Sequence, residues 1–389
     1  MESDLFDRLD PHDGPQPPET EAEQLDWLRL IRSRRVGAVT FHRLLAEHGS
    51  AGAALLALPA IAAASGVASY STCPAEVARH EMAQARAAGA QMLCFGAPGY
   101  PVPLRDLADA PPLLWAIGDI SLLQRPMVAM VGARNASSLG LRMARRLAET
   151  LGEAGFAVVS GLARGIDAEA HRAALPLGTI AVQAGGVDVI SPAENLTLAQ
   201  EIAVRGCRIS EQPMGMQPQA RHFPTRNRIV SGLSCAVIVV EAAARSGSLI
   251  TARDALDQGR EVLAVPGHPF DARAAGCNML IRDGATLVRH ASDVTEALGV
   301  AMPRAVATAA AGPEPAPALP GPVPDRRPLV DIAAVHSRIL ARLGPSPLAE
   351  DQLIRDLAMP PSRIAPELLA LELEGKVLRQ AGGLLSRAD

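Results

Sequence analysis

The chain has 389 residues, enough for two or three domains that each bury a core, and a formal net charge of -4. That charge argues against a uniformly basic surface, and because Lys376 is the only lysine, almost every cation is a forked arginine guanidinium. Five scattered cysteines without a CxxC pair indicate neither a disulfide framework nor a zinc site. The acidic, polar N-terminus carries no signal peptide, so we expect a cytoplasmic protein without a membrane span.

Composition and hydrophobic periodicity divide the chain into five parts. Residues 1–20 are predicted to be a disordered tail, and residues 21–120 a small helical domain, SAM-like or helix-hairpin-like, with a connector. Residues 121–300 alternate β-branched runs with helical stretches, as βαβ units of a parallel sheet do. Residues 301–327 are a Pro/Ala-rich linker, and residues 328–389 predict a winged helix. The expected fold class is α/β, with an extended Rossmann-like central domain.

The N-terminal helical part contains a cluster of basic residues, Arg32, Arg34 and Arg35. Small helical hairpin modules often touch nucleic acid, and the cluster fits that role. A helical cap with a solvated basic face explains the same residues, and we favour this second interpretation.

The central part contains seven predicted strands, several of which end in small residues with arginine nearby. They are 127–131, 156–159, 179–183, 207–209, 236–241, 262–265 and 286–288. In an open parallel sheet the carboxyl ends of the strands lie at one edge, where ligands bind. The sequence therefore predicts a basic crevice lined by backbone amides and suited to a partner that carries phosphate.

The turn after the first of these strands contains Gly132 and Arg134 but lacks the GxGxxG fingerprint of dinucleotide-binding proteins. Gly132 allows close backbone approach, the next helix offers its N-terminal amides to an anion, and Arg134 adds a charged donor. A plain strand-to-helix turn with a solvated arginine remains the alternative.

A second turn runs from Ser160 to Asp167. Gly161 and Gly165 suit positive backbone φ angles, and Asp167 is placed to cap the helix that leads to His171. Asp167 and His171 share a helical face, as metal ligands can, but the motif has no third ligand. We therefore favour a structural hydrogen bond.

The segment from Phe223 to Arg228 combines an aromatic ring with two arginines, and Arg221 and His222 precede it. A ring that stacks on a base and guanidinium groups that hold phosphates are what single strands need. The alternatives are a core role for Phe223 and ion pairs to carboxylates for Arg226 and Arg228.

Ser246, Gly247 and Ser248 form a further turn that offers backbone amides before a helix. Glu241, at the end of the preceding strand, has the chemistry to bond a ribose hydroxyl or to hold Arg226 or Arg228, and we favour the ion pair. The sequence contains no Ser-His-Asp set, no paired acid/base carboxylates and no Walker A lysine. Catalysis therefore has little support from individual residues.

Taken together, these motifs resemble the DprA (Smf) DNA-processing family. They are Val131-Gly132-Ala133-Arg134, Ser160 to Asp167 with Ala170-His171, Phe223 to Arg228, Glu241 with Ser246 to Thr251, and Val265-Pro266-Gly267, with Tyr100-Pro101 and Pro111 to Trp115 upstream. The resemblance implies an extended Rossmann-like fold, binding of single-stranded DNA, homodimerisation, protection of incoming DNA, and loading of the RecA recombinase in natural transformation. We expect no catalytic residue, no metal and no cofactor.

The predicted DNA contacts come from these three turns and from the segment around Phe223. They are Gly132, Arg134, Ser160, Gly161, Arg164, Arg221, Phe223, Arg226, Asn227, Arg228, Ser246, Gly247 and Ser248. Two enzyme classes are the alternatives. A nucleoside monophosphate phosphoribohydrolase-like enzyme would need a double glycine and a following Glu, which the turn at 246–251 lacks. An NAD-dependent oxidoreductase would need the missing fingerprint.

The winged-helix segment is expected to bind DNA weakly at best. Acidic residues slightly outnumber basic ones there, and its third helix carries Arg363 but also Glu367, Glu372 and Glu374. Carboxylates repel phosphate, whereas a helix that reads DNA needs a basic footprint. Contact with a protein, or with another copy of the chain, fits this segment better.

Overall fold

The computed structural model describes residues 16–67, 69–300, 329–380 and 384–388. Most of the predicted disordered tail and all of the predicted linker lie outside the described residues. No single helix in these ranges is long and apolar enough to cross a membrane. The helices Ala38–His48 and Ala51–Ala64 reach the necessary length and apolarity only together, and the chain bends by 105° between them.

Four helices begin the described chain. They are α1 (Glu21–Arg32), α2 (Ala38–His48), α3 (Ala51–Ala64) and α4 (Ala75–Ala87). A reciprocal cap fixes the start of α1, because the Thr20 hydroxyl accepts from the Glu23 amide and the Glu23 carboxylate accepts from the Thr20 amide. The rings of Trp27 and Phe41 pack edge to face in the core of this bundle, 5.1 Å between centroids.

The segment between this bundle and the central domain forms two strands that the sequence analysis missed, β1 (Gln91–Cys94) and β2 (Leu113–Gly118). They pair with each other, and β2 also pairs antiparallel with the edge of the central sheet. Trp115 on β2 lies in the core of the helical bundle. The predicted connector is therefore the surface on which the N-terminal helices pack.

A buried ion pair fastens α1 and α4 to this sheet edge. Arg32 donates to both carboxylate oxygens of Glu81, at 2.8 and 3.0 Å, and to the backbone carbonyl of Glu211 at 3.3 Å. The indole nitrogen of Trp115 donates to Glu81 at 2.8 Å. Our preferred interpretation of the basic cluster is wrong for Arg32, which is a partly buried structural residue rather than part of a solvated face.

Seven further strands complete the central sheet, close to their predicted positions. They are β3 (Met127–Val131), β4 (Ala157–Ser160), β5 (Thr179–Val182), β6 (Cys207–Ser210), β7 (Ala236–Val239), β8 (Glu261–Ala264) and β9 (Thr286–Leu287). The order across the sheet is β1-β2-β6-β5-β4-β3-β7-β8-β9, and every pair from β6 to β9 is parallel. The predicted α/β class with a parallel sheet is confirmed.

Helices cover both faces of this sheet, which explains why its strands are apolar throughout rather than alternating. The helices are α5 (Ser138–Glu153), α6 (Ile166–Ala174), α7 (Leu196–Arg205), α8 (His222–Leu233), α9 (Ser248–Asp257), α10 (Ala275–Arg282) and α11 (Ala291–Ala297). Along β3, Val128 and Met130 pack with α5, α6 and α11, whereas Ala129 and Val131 pack with α8, α9 and α10. Short 3-10 helices occur at Val102–Leu104, Ile120–Gln124 and Ala193–Asn195.

The strand order reverses between β3 and β7. From β3 the chain proceeds outward through β4 and β5 to β6, then returns to place β7 on the other side of β3. Loops that leave neighbouring strands in opposite directions leave a crevice between them at the carboxyl edge. The turns after β3, β4 and β7 all open onto this point.

The C-terminal part is a winged helix, as predicted. Its elements are α12 (Leu329–Arg342), β10 (Leu348–Ala349), α13 (Glu350–Leu357), α14 (Pro361–Leu373), β11 (Val377–Gln380) and β12 (Leu384–Arg387). Ile339, Leu353, Leu368 and Leu385 are fully buried in a separate hydrophobic core. The three strands form an antiparallel sheet in the order β10-β12-β11.

Two arginines attach the winged helix to the central domain beside the crevice. Arg342 donates to the carbonyl of Ala136 at 2.7 Å. Arg273, in the loop after β8, donates to the carbonyls of Ala341 and Leu343 at 2.8 and 3.0 Å. The Arg273 guanidinium thus satisfies two carbonyls at the end of α12, while Arg342, within α12, bonds to the turn after β3.

Candidate functional site

A crevice of about 720 Å³ lies at the point where the strand order reverses. Its walls come from the turn after β3, the start of α6, the start of α8 and the turn after β7. The charged groups that line it are four arginines, Arg134, Arg226, Arg245 and Arg273, and one carboxylate, Asp167. The crevice is therefore basic, as the sequence predicts, although the whole chain is acidic.

Arg226 is the most unusual group in the crevice. Its side chain is buried, with only 7% of the residue exposed. In the described part of the chain its Nε has no hydrogen-bond partner, and no carboxylate lies within 4.0 Å of its guanidinium. Burial lowers the pKa of Arg226, and the more distant charge of Asp167 opposes that shift. A buried cation without a paired anion lowers the stability of the folded protein. Its retention at this position therefore suggests that it binds an anionic ligand.

Gly161 allows Arg226 to occupy this position. A Cβ atom at residue 161 would overlap Nη1 of Arg226. Gly161 has no positive φ, contrary to our expectation; the left-handed conformations fall at Leu162 and Gly165, with φ of 57° and 76°. The absence of a side chain, rather than backbone freedom, is therefore the reason for glycine at 161.

The carboxylate of Asp167 holds the second turn. It accepts hydrogen bonds from the amides of Gly161 and Ala163, at 3.2 and 3.4 Å. Burial raises the pKa of Asp167, and the nearby charge of Arg226 opposes the rise. The predicted contact by Ser160 has no support from its side chain, because the buried hydroxyl donates to the carbonyl of Met130 at 2.6 Å.

His171 has a structural hydrogen bond, which agrees with our preferred interpretation. Its Nδ1 lies 2.7 Å from the hydroxyl of Thr179, which itself donates to the carbonyl of Val158. Nδ1 therefore carries the proton, and burial lowers the pKa of His171 to about 3. Among the described residues, no three His, Cys, Asp or Glu side chains are grouped so as to hold a metal ion.

Glu241 occupies the N-terminal end of α5. Its carboxylate accepts from the amide of Ser137 at 3.0 Å and from its hydroxyl at 2.6 Å, while that hydroxyl accepts from the amide of Gly140. Burial raises the pKa of Glu241, and the bonds from Ser137 oppose the rise. An internal carboxylate thus fills the position where we expected an external anion after the first turn.

The partner of Glu241 also differs from our expectation. The nearest arginine is Arg273, whose Nε lies 3.9 Å from the carboxylate, rather than Arg226 or Arg228. Gly132 remains in the crevice wall, where a Cβ would meet Ile166 and the Glu241 carbonyl. This glycine is required for the close packing of the turns.

Arg228 lies on a different side of α8 and does not line the crevice. Its guanidinium forms ion pairs with Glu211 at 2.6 Å and with Asp109 at 3.2 Å. These ion pairs favour the ion-pair alternative for Arg228 over the predicted contact with DNA. Residues two apart on a helix point in different directions, so Arg226 and Arg228 cannot share one role.

Phe223 lies at the first turn of α8 and separates the crevice from a smaller cavity of about 320 Å³. The guanidinium of Arg134 lies over its ring, 5.4 Å from the centroid. The smaller cavity is also lined by Arg164, which forms an exposed ion pair with Glu194 at 3.5 Å. Arg134 and Arg164 thus stand near Phe223 at the edge of the crevice.

The start of α9 is open toward the crevice. The hydroxyls of Ser246 and Ser248 lie 2.7 Å apart, and the Ser246 hydroxyl accepts from the Ser248 amide at 3.4 Å. The amides of Leu249 and Ile250 donate to the carbonyls of Ser246 and Gly247, both at 3.1 Å. Ser246, Gly247, Ser248 and Asn227 line the crevice, whereas Arg221 is not among its lining residues and donates to the ring of His222 at 3.3 Å. The three turns and the start of α8 thus contribute unequally to the site.

Two arginines of the crevice, Arg245 and Arg273, were not predicted from the sequence. Arg245 is exposed and directly precedes the Ser246 turn. Its position in the sequence beside that turn could have identified it as a crevice residue. Arg273 follows the Pro266-Gly267-His268 turn by several residues. Only the folded loop brings Arg273 back to the crevice, so no local pattern reveals it.

Comparison with known proteins agrees with this architecture. Residues 91–299 match the family model described as DNA recombination-mediator protein A. The chain belongs to that family. Its flanking parts match two further models of the same family, the DprA-like N-terminal HHH domain over residues 21–84 and the DprA winged helix domain over residues 313–383.

Individual DprA family members resemble the chain over most of their length. The Bacillus subtilis DNA processing protein DprA is 43% identical over 220 residues, which cover 56% of this chain and 74% of the relative. The Escherichia coli protein Smf is 38% identical over 287 residues, which cover 73% and 74%. The X-ray structure of DprA from Streptococcus pneumoniae aligns with a TM-score of 0.59 at 36% identity, covering 70% of this chain and 97% of that one.

A DprA structure from Helicobacter pylori aligns with a TM-score of 0.50 at 31% identity, covering 54% of this chain and 97% of that one. Its description concerns the single-stranded DNA binding mode of that protein. The DprA family fold, with its parallel sheet and winged helix, is thus shared by this chain.

The environments of Arg226 and Arg228 predict opposite effects of the same substitution on stability. Arg226→Met removes a buried, unpaired charge and keeps an apolar stem, so we expect the free energy of unfolding to rise by about 1–3 kcal/mol. Arg228→Met leaves Glu211 partly buried without its cation, and we expect a loss of roughly 3 kcal/mol. Urea denaturation of both variants measures the difference. A destabilised Arg226→Met protein would contradict our description of that site.

Proposed function

We propose that the crevice binds single-stranded DNA and that the chain acts in DNA processing as a binding protein. The observation that carries the proposal is the buried guanidinium of Arg226, which lacks an anionic partner among the described residues. A backbone phosphate in the crevice supplies that anion. The Helicobacter pylori relative, described as a single-stranded DNA binder, supports the same conclusion.

The proposed complex uses three kinds of contact. Phosphates lie near Arg226 and Arg245 and near the start of α9, where the helix dipole favours an anion. Phe223 offers an aromatic surface for a base, and Arg134 extends it by its position over the ring. None of these contacts reads a base edge, so we expect little sequence preference.

Glu241 supports a binding role over the enzyme alternatives. In a dinucleotide-binding fold the pyrophosphate lies at the N-terminus of the first helix. Here the buried Glu241 carboxylate occupies that position on α5 and is engaged by Ser137. Because its carboxylate is engaged in these hydrogen bonds, Glu241 is not available as a general acid or base. We therefore propose that the protein carries out no catalytic step on a nucleotide.

Family membership supports a more specific role. We propose that the chain works as a homodimer that protects incoming DNA and delivers it to the RecA recombinase in natural transformation. This part of the proposal rests on the family, whereas DNA binding rests on the crevice as well.

The crevice arginines predict the effect of substitutions on DNA affinity. Arg226→Met should weaken the binding of a fluorescent thymidine oligonucleotide about 10- to 100-fold, since hydrogen bonds to charged groups contribute about 1.5–3 kcal/mol. Arg134→Ala and Arg245→Ala should each have smaller effects, because both side chains are more exposed. Fluorescence anisotropy across a salt series measures these affinities, and the salt dependence should also decrease.

Two matched variants control for indirect effects. Gly161→Ala substitutes no arginine, but its methyl group displaces the guanidinium of Arg226. It should therefore reproduce most of the loss of DNA affinity seen with Arg226→Met. Arg228→Met, two residues away on the same helix, should retain near-normal affinity wherever the protein remains folded. Equal binding by Arg226→Met and the unsubstituted protein would refute the proposed site.

The RecA proposal has its own test. The protein at stoichiometric dimer concentration should speed RecA filament assembly on DNA already coated with single-strand binding protein. Arg226→Met should lose this effect in parallel with its DNA affinity. If the protein binds DNA normally but leaves RecA assembly unchanged, the delivery role is wrong and the binding role stands.

A further inference from the structure

A second cavity adjoins the crevice, between the central domain and the winged helix. We call it the domain cleft; its volume is about 440 Å³. The loop after β8 supplies Phe270 to one wall, and the end of β12 supplies Arg387 to the other. Asn135 and Arg273 line both the domain cleft and the crevice, so the two cavities are neighbours that share a boundary.

Phe270 is the most notable residue of the domain cleft. It is 80% exposed and is the only aromatic residue among the exposed large hydrophobic side chains of the described chain. The ring of His268 lies beside it, 5.6 Å between centroids. Only six residues of the sequence are phenylalanine, and a ring held out in water contributes nothing to a core. An exposed ring beside a basic crevice has the properties of a stacking platform.

Arg387 supplies a positive charge to the domain cleft. It is exposed and, within the described part of the chain, has no ion-pair partner. The other basic residues of the wing are neutralised, since Arg379 forms ion pairs with Glu350 and Glu372, and Lys376 pairs with Glu374. Among the described residues that line the domain cleft, Asp271 is the one carboxylate, and it is engaged by Arg273 at 3.0 Å. A free cation therefore lies across the domain cleft from the exposed ring.

The walls of the domain cleft are held in place by the arginine contacts between the domains. Arg273 and Arg342 fix the end of α12 against the central domain through three backbone carbonyls. The wing end that carries Arg387 is tied to the same place, because the Arg387 amide donates to the carbonyl of Gly344 at 2.9 Å. The site is thus assembled from two domains, neither of which supplies both the ring and the free cation.

We propose that the domain cleft continues the path of the DNA strand, with a base stacked on Phe270 and a phosphate held by Arg387. The proposal rests on the proposed function of the crevice and extends it. Under this proposal the winged helix takes part in DNA binding, although its acidic residues outnumber its basic ones. It does so by contributing one cation to a site that it shares with the central domain. The crevice then takes a short strand alone, whereas a longer strand uses both cavities.

Oligonucleotide length separates the two sites. We expect Phe270→Ala and Arg387→Gln in the full chain to bind a thymidine oligomer of about 5 nucleotides as the unsubstituted protein does. With an oligomer of about 20 nucleotides, each should bind roughly 5- to 50-fold more weakly, as expected for one lost stacking or phosphate contact. Leu373→Ala, at another exposed apolar position on the winged helix, is the control and should match the unsubstituted protein at both lengths.

A fluorescent variant provides a second measurement. Phe270→Trp places an indole in the domain cleft, whereas the native Trp27 and Trp115 are buried and give a constant background. The long oligomer should quench the new emission and the short one should not. Unchanged affinity of Phe270→Ala and Arg387→Gln for the long oligomer, with no quenching, would overturn the proposal. Loss of binding by Arg226→Met at both lengths would still uphold the crevice, so the two proposals fail separately.

Discussion

The guanidinium of Arg226 is largely buried against Gly161, and the arrangement of the crevice is built around that group. Its nearest compensating charge, Asp167, is committed to the amides of the second turn and lies beyond ion-pair distance. The charge is therefore only partly balanced within the described protein. Such an arrangement is unfavourable for stability, and it is favourable for binding because the donor is already desolvated and fixed.

Two internal carboxylates occupy positions at which a nucleotide-binding fold of this kind would bind phosphate. Glu241 closes the N-terminal end of α5, and Asp167 closes the turn before α6. Both positions would otherwise attract a phosphate group. What remains open to a ligand is the start of α9, the ring of Phe223 and the arginines around them. The site is therefore displaced from the usual dinucleotide position toward an open, elongated surface, which suits a polymer better than a small cofactor.

Much of the fold could be predicted from the sequence because apolar runs bounded by turn residues mark buried parallel strands well. The strands β1 and β2 were not predicted, since they lie among prolines and their pairing is set by Trp115 and the N-terminal helices. At the site, the turns were predicted correctly and the partners of individual charges were not. Whether Arg228 reaches a phosphate or Glu211 depends on the rotation of α8, and no local pattern shows that rotation. Arg273 enters the crevice only through the path of a loop.

The most direct test of this account is a crystal structure of the protein with a bound thymidine oligonucleotide. We expect a backbone phosphate oxygen within about 3 Å of a guanidinium nitrogen of Arg226, with the carboxylates of Glu241 and Asp167 still on their own turns. A complex in which the strand lies elsewhere and Arg226 stays unpaired would contradict the central claim.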